Sequence, residues 1–207
     1  MKKLLLLPLI FMSLPLLGQQ HSIGLQGGIN LAQISTNYKS EFRYGIQTGA
    51  NYQYDHNDKY IFGVDFLLIE RGASVGVNHT NEQGNATGII LVSKIETDYI
   101  SVPLKAGVVI GDKLSGVLNI GVVPSFLIDA KIRHMAYEGI RDELILDSEG
   151  WRQFDLGALI EIGANYALSS YNSIFASARL FKSITRYDGY GKHNGIEFSV
   201  GTRVALK

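Results

Sequence analysis

Cysteine is absent from the 207 residues. That excludes disulfides, thiolate metal sites, a cysteine nucleophile and a lipid-modified N-terminal cysteine. Charge is scarce as well: only 18% of residues are Asp, Glu, Lys or Arg, and the 19 basic residues match the 19 acidic ones. Without a basic excess there is no electrostatic footprint for a nucleic-acid partner. Long apolar runs are missing after the N-terminus. No segment there reaches the roughly 18 uncharged apolar residues that a membrane-spanning helix needs. Glycine and aromatics are plentiful, with 23 Gly, 11 Tyr and 9 Phe. Few charges beside many glycines and aromatics suit a β-protein facing lipid.

The N-terminus reads differently from the rest. Lys2 and Lys3 precede the almost wholly apolar stretch 4–17, which contains Pro8, Ser13 and Pro15, and Gly18 follows as a small residue before Gln19 and Gln20. This is the layout of a secretory signal peptide. Fourteen residues with two prolines are too short for a spanning helix. Residues 1–18 are therefore expected to be a cleaved signal peptide, and 19–207 a single barrel domain.

Residues 42–55 alternate with period two. Phe42, Tyr44, Ile46, Thr48, Ala50, Tyr52 and Tyr54 take one face, and Arg43, Gly45, Gln47, Gly49, Asn51, Gln53 and Asp55 the other. A helix, with period 3.6, would not sort residues by parity. Seven further segments sort the same way: 22–33, 60–72, 94–110, 116–133, 152–168, 173–185 and 195–207. In 60–72 the sorting is less clean, because Ile61, Leu67 and Ile69 fall on the polar face. The segments are long for soluble strands, which usually run five or six residues. A tilted membrane strand needs roughly nine to eleven residues within the hydrocarbon.

The connections alternate in length. The first, third, fifth and seventh are long (34–41, 73–93, 134–151 and 186–194), and the others are short (56–59, 111–115 and 169–172). Outer-membrane barrels have short periplasmic turns and longer outer loops, so a periplasmic N-terminus puts all four long connections outside. Tyr52, Tyr54, Tyr60, Phe62 and Tyr166 fall at the short-turn ends of the apolar face, and Phe42, Tyr44 and Phe154 at the other, as two interfacial girdles would require.

The opposite face would line a narrow lumen filled by side chains. Its strand charges are Arg43, Lys105, Lys131, Arg179 and Arg203 against Asp65, Asp129, Asp155, Glu161 and Glu197. Buried charges must pair to offset desolvation, so an equal count predicts an ion-pair network that closes the barrel.

Several segments resemble the PorT-like outer-membrane β-barrel proteins common in Bacteroidetes. They are Phe66-Leu67-Leu68-Ile69-Glu70-Arg71-Gly72-Ala73, Tyr99-Ile100-Ser101-Val102-Pro103-Leu104-Lys105, Asn119 to Leu127, and Arg179 to Thr185. The likeness covers nearly all of 19–207, and the Pro103 segment is its most specific piece. The chain departs from many outer-membrane barrels in ending Val204-Ala205-Leu206-Lys207 rather than on an aromatic residue. The resemblance implies an eight-stranded antiparallel up-and-down transmembrane β-barrel in the outer membrane. It implies no shared catalytic residues; a few members act in protein secretion.

No catalytic, cofactor-binding or metal-binding residue stands out. His21, His56, His79, His134 and His193 lack metal-ligand spacing and fall at strand ends or in connections, where a solvated histidine is expected. A rim enzyme would draw on His134, Asp142, Glu143, Asp147 and His193, which are ordinary loop residues by composition. Gly27-Gly28 and Gly84 to Thr87 are not phosphate cradles, since no helix follows them. The expectation is a non-enzymatic, monomeric barrel without cofactor. It would contact outer-membrane lipid and act through its outer loops or through a membrane or secretion-system protein. A narrow channel and a secreted barrel holding a small apolar ligand are the alternatives. The last requires the apolar face to turn inward.

Overall fold

A computed structural model describes residues 20–35, 40–57, 59–81, 83–135, 152–185 and 191–206. Residues 1–19, including the expected signal peptide, lie outside that description, as do most of the connections 134–151 and 186–194. Ten strand segments follow in order: β1 (Gln20–Ser35), β2 (Ser40–Glu41), β3 (Arg43–His56), β4 (Tyr60–Thr80), β5 (Ala86–Ser101), β6 (Leu104–Ile110), β7 (Leu114–Met135), β8 (Phe154–Ala167), β9 (Asn172–Ser183) and β10 (Lys192–Leu206). They form eight staves, because β2 is a two-residue outlier beside β4 and β5 and β6 are one stave interrupted at Val102-Pro103. Pro103 has no N–H to give the ladder. Its carbonyl accepts from Asp65 N, and Val102 N donates to the carbonyl of Pro124 on β7, so the chain stays in the wall.

Neighbouring staves pair antiparallel in sequence order, and β1 pairs with β10 from His21↔Leu206 to Ser35↔Lys192. That last ladder closes the sheet into a barrel, so each described stave has a paired neighbour on both sides. Among the described residues no helix is long and apolar enough to cross a membrane, so only the strands could do so.

The parity seen in the sequence decides which side faces out. Leu25, Ile120 and Val200 are 70%, 63% and 64% exposed, while their neighbours Gln26, Asn119 and Ser199 are buried. An apolar outside and a polar inside suit lipid, not water, and the soluble ligand-binding alternative fails on this point. Aromatics edge the apolar band: Tyr54 stacks on Phe62 at one end, and Phe126 meets Phe154 at the other.

Two expectations are corrected. The 73–93 connection is mostly strand: β4 runs to Thr80, β5 starts at Ala86, and the turn is only 81–85. β4 and β5 pair nearly all the way to that turn, so the ribbon projects well past the apolar band. The interior is also less uniformly polar than expected: Ile61, Leu67 and Ile69, which share the polar-face parity of β4, are buried inside the barrel where that parity puts them, at 2–3% exposure. Further out, Ile34, Ala73, Val75 and Ile95 pack together, as do Ile69, Tyr99, Leu127 and Ala130. The long-loop end of the interior is thus a small apolar core rather than a continuation of the polar lumen.

Candidate functional site

The middle of the lumen is occupied by charged side chains from five staves, joined by Asn119 from a sixth. Arg179 on β9 is the hub. Its guanidinium donates to Glu161 on β8 (Nη2 at 2.6 Å), to Glu197 on β10 (Nη1 at 3.1 Å) and to Asp65 on β4 (Nη2 at 2.7 Å). Lys105 on β6 bridges Asp65 at 2.9 Å and Glu161 at 3.1 Å, and Asn119 on β7 donates to Glu161 at 2.7 Å. Arg71 continues the network toward the long-loop end, 3.4 Å from Glu197 and 3.9 Å from Asp155. All these side chains are buried. The ladders explain why they meet: Arg179 stands directly opposite both Glu161 and Glu197 across its two neighbouring strands.

The lumen charges differ from those expected. Arg43, Lys131 and Asp129 are absent from the network, and Arg71 takes a place in it. The buried set is Arg71, Lys105, Arg179 and Arg203 against Asp65, Asp155, Glu161 and Glu197. Equal numbers persist, as burial demands. Arg71 lies on the polar parity of 60–72 with Asp65, and the loss of the other three has its cause in local irregularity. A bulge at Ile128 of β7, opposite Asp98 and Tyr99, shifts the register with β5, so beyond it Ala130 points in while Asp129 and Lys131 pair with each other on the outer surface. At the β3–β4 seam the ladder stops at Gln47↔Ile69, and side chains replace it: Asn30 donates to the Glu70 carbonyl, Ile46 N donates to the Glu70 carboxylate, and Arg43 donates to the Arg71 carbonyl and pairs with Glu96 at 3.2 Å.

Aromatic rings fill the remaining space. The Arg71 guanidinium lies 3.9 Å from the Phe181 ring centre, and that of Arg203 lies 3.9 Å from Phe175. Each ring faces a glycine, Phe181 over Gly157 and Phe175 over Gly201, where a Cβ would overlap ring carbons. Arg203 also donates Nε–H to Asn51 at 2.9 Å. Below it the lumen opens at the short-turn end into a polar cup of about 390 Å³, lined by Gln53, Asp55, Ser115 and Asn165 among others.

The histidines are only partly where they were expected. His193 is on β10 and 1% exposed, edge-on to Tyr99, not at a solvated rim. His21 is on β1 and bonds the Tyr52 hydroxyl at 2.6 Å. Asp142, Glu143 and Asp147 lie outside the described residues, as does the side chain of His134. Among the described residues no group of three or more His, Asp or Glu is placed to hold a metal ion.

A closed barrel with a lipid-type exterior and an ion-paired lumen is what an outer-membrane β-barrel requires, and the family comparison agrees. A family model described as outer membrane protein beta-barrel domain matches residues 18–189. The chain belongs to that family. This outer-membrane barrel is also similar in fold to Neisserial surface protein A, at 16% identity and a TM-score of 0.52 over 88% of this chain and 96% of that one. The outer membrane protein OprG from Pseudomonas aeruginosa is 12% identical with a TM-score of 0.52, over 91% of this chain and 97% of that one. At such identities the likeness speaks for the fold alone. No curated protein matches the sequence. The barrel resides in the outer membrane, as this family membership indicates.

Proposed function

We propose that the protein is a plugged, non-enzymatic and monomeric outer-membrane barrel of PorT-like type, working through the end that carries its long connections. That end faces the cell exterior, and the short turns face the periplasm. One observation carries the reading: Arg179 gathers carboxylates from β4, β8 and β10 across the middle of the lumen. Side chains that tie opposite walls together leave no continuous water column, and an eight-stranded barrel has little interior to spare. The work then falls to surfaces outside the wall. The projecting β4–β5 ribbon is one of these, the expected outer loop 134–151 is the other candidate, and a secretion-system or other membrane protein is the partner class. The Tyr99 to Lys105 segment supports the PorT-like assignment, because its proline marks the break between β5 and β6 while Tyr99 and Ser101 are fully buried.

Planar-bilayer recording on refolded protein tests the plug. Steady single-channel steps from the folded form would overturn it and put a narrow channel in its place; a silent bilayer with verified insertion is the expected result.

A further inference from the structure

On the lipid-facing side of β8, β9, β10 and β1, ladder partners line up in two rows. The lower row is Ile160, Leu180, Ile196 and Leu31, and the upper row is Ala158, Lys182, Asn194 and Gln33. The lower row is apolar, as lipid requires. The upper row is not, and it borders a groove of about 450 Å³ in the outer wall whose lining includes Phe42, Ile160, Leu180 and Ile196. Two small residues on its lining, Ala158 and Gly195, leave it hollow. Lys182 stands at its rim, exposed, with no carboxylate within ion-pair distance among the described residues. Asn194 supplies a second signal: its Oδ1 is buried and accepts no hydrogen bond from a described residue. Lys192 belongs to the same outer face of β10, two residues nearer the rim, since His193 between it and Asn194 points inward.

An ammonium group on a lipid-facing wall needs an anion, and the bilayer supplies one only at headgroup level. A buried amide oxygen needs a hydrogen-bond donor. An apolar hollow directly below them fits a hydrocarbon chain. We propose that this groove holds one phosphorylated glycolipid of the outer leaflet. Its phosphate would lie against Lys182, a sugar hydroxyl or amide N–H would donate to Asn194 Oδ1, and one acyl chain would lie along Ala158, Ile160, Leu180 and Ile196. A glycolipid satisfies all three features together, whereas a simple anion satisfies only the first. The assignment to the outer leaflet rests on the orientation proposed above; the chemistry of the groove does not.

The test is native mass spectrometry of barrel extracted from outer membranes in a mild non-ionic detergent, with heat-modifiable gel migration confirming that each variant is folded. Wild type is expected to retain one phosphorylated glycolipid. K182Q should lower its occupancy about fivefold, the worth of one lysine against an anionic headgroup. K182R should restore it, and A158F, which fills the hollow from the lipid side, should abolish it. Equal retention by wild type, K182Q and A158F would overturn the site, as would wild type that carries no lipid. Selective retention of a glycerophospholipid, lost in K182Q, would overturn the glycolipid assignment. Antibody access to a tag at Asn85 on intact cells tests the orientation separately, so failure of that reading is told apart from failure of the site.

Discussion

Replacing Arg179 with methionine keeps most of the side-chain volume and removes the charge. Four buried carboxylates, Asp65, Asp155, Glu161 and Glu197, would then face Lys105 and Arg71 nearby, with Arg203 one layer below and bonded to Asn51. Glu197 keeps only the longer 3.4 Å contact to Arg71, and Asp65 and Glu161 must share Lys105. Breaking a buried pair while leaving its partner charged costs roughly 3–5 kcal/mol. At a urea slope of roughly 2 kcal/mol per molar, the unfolding midpoint in micelles should fall by about 2 M. Adding E161Q should recover part of that loss, because it removes one carboxylate of the uncompensated set. R203M provides the contrast. Arg203 makes one side-chain hydrogen bond and stacks on Phe175, so its removal should cost only about 1–3 kcal/mol. If R179M shifted the midpoint by no more than R203M, or if E161Q deepened the loss, the network would not be what holds the lumen together.

Three further outcomes follow from the wall and its packing. An arginine at Val200, exposed at 64% on the lipid side in the middle of β10, should cost roughly 2–4 kcal/mol in a bilayer, and much less in a micelle that deforms around it. Equal cost in both hosts would argue against a lipid-facing position. G157A should cost roughly 1–3 kcal/mol, since its methyl overlaps the Phe181 ring, and the double change with F181L should relieve it; a neutral G157A would mean the ring is free to move. A tag at Asn85, in the turn between β4 and β5, should bind antibody on intact cells, and labelling only after permeabilisation would reverse the orientation.

Period-two alternation by itself determined the fold class, the eight staves and the side that meets lipid, because side-chain direction in a strand depends only on position along the chain. It also placed Lys105, Asp65, Glu161, Arg179, Glu197 and Arg203 inside, since none of these lies beyond an irregularity of its own strand. Parity fails where an extra residue enters a strand, as Ile128 does in β7, and only the pairing with β5 shows where that happens. Arg71 shares the parity of Asp65 and lies inside accordingly, whereas only the tertiary structure removed Arg43, Asp129 and Lys131: the bulge in β7 opposite Asp98 and Tyr99 and the open β3–β4 seam are agreements between neighbours. The extension of β4 and β5 was hidden for a similar reason. Residues 73–93 contain glycines and polar residues that read as loop, and they become strand because each supplies the other's hydrogen-bond partners. The burial of His193 likewise depends on what the facing staves leave unfilled. A sequence records which face a residue takes; which residues meet across a lumen is fixed only when the last ladder, β1 to β10, closes the ring.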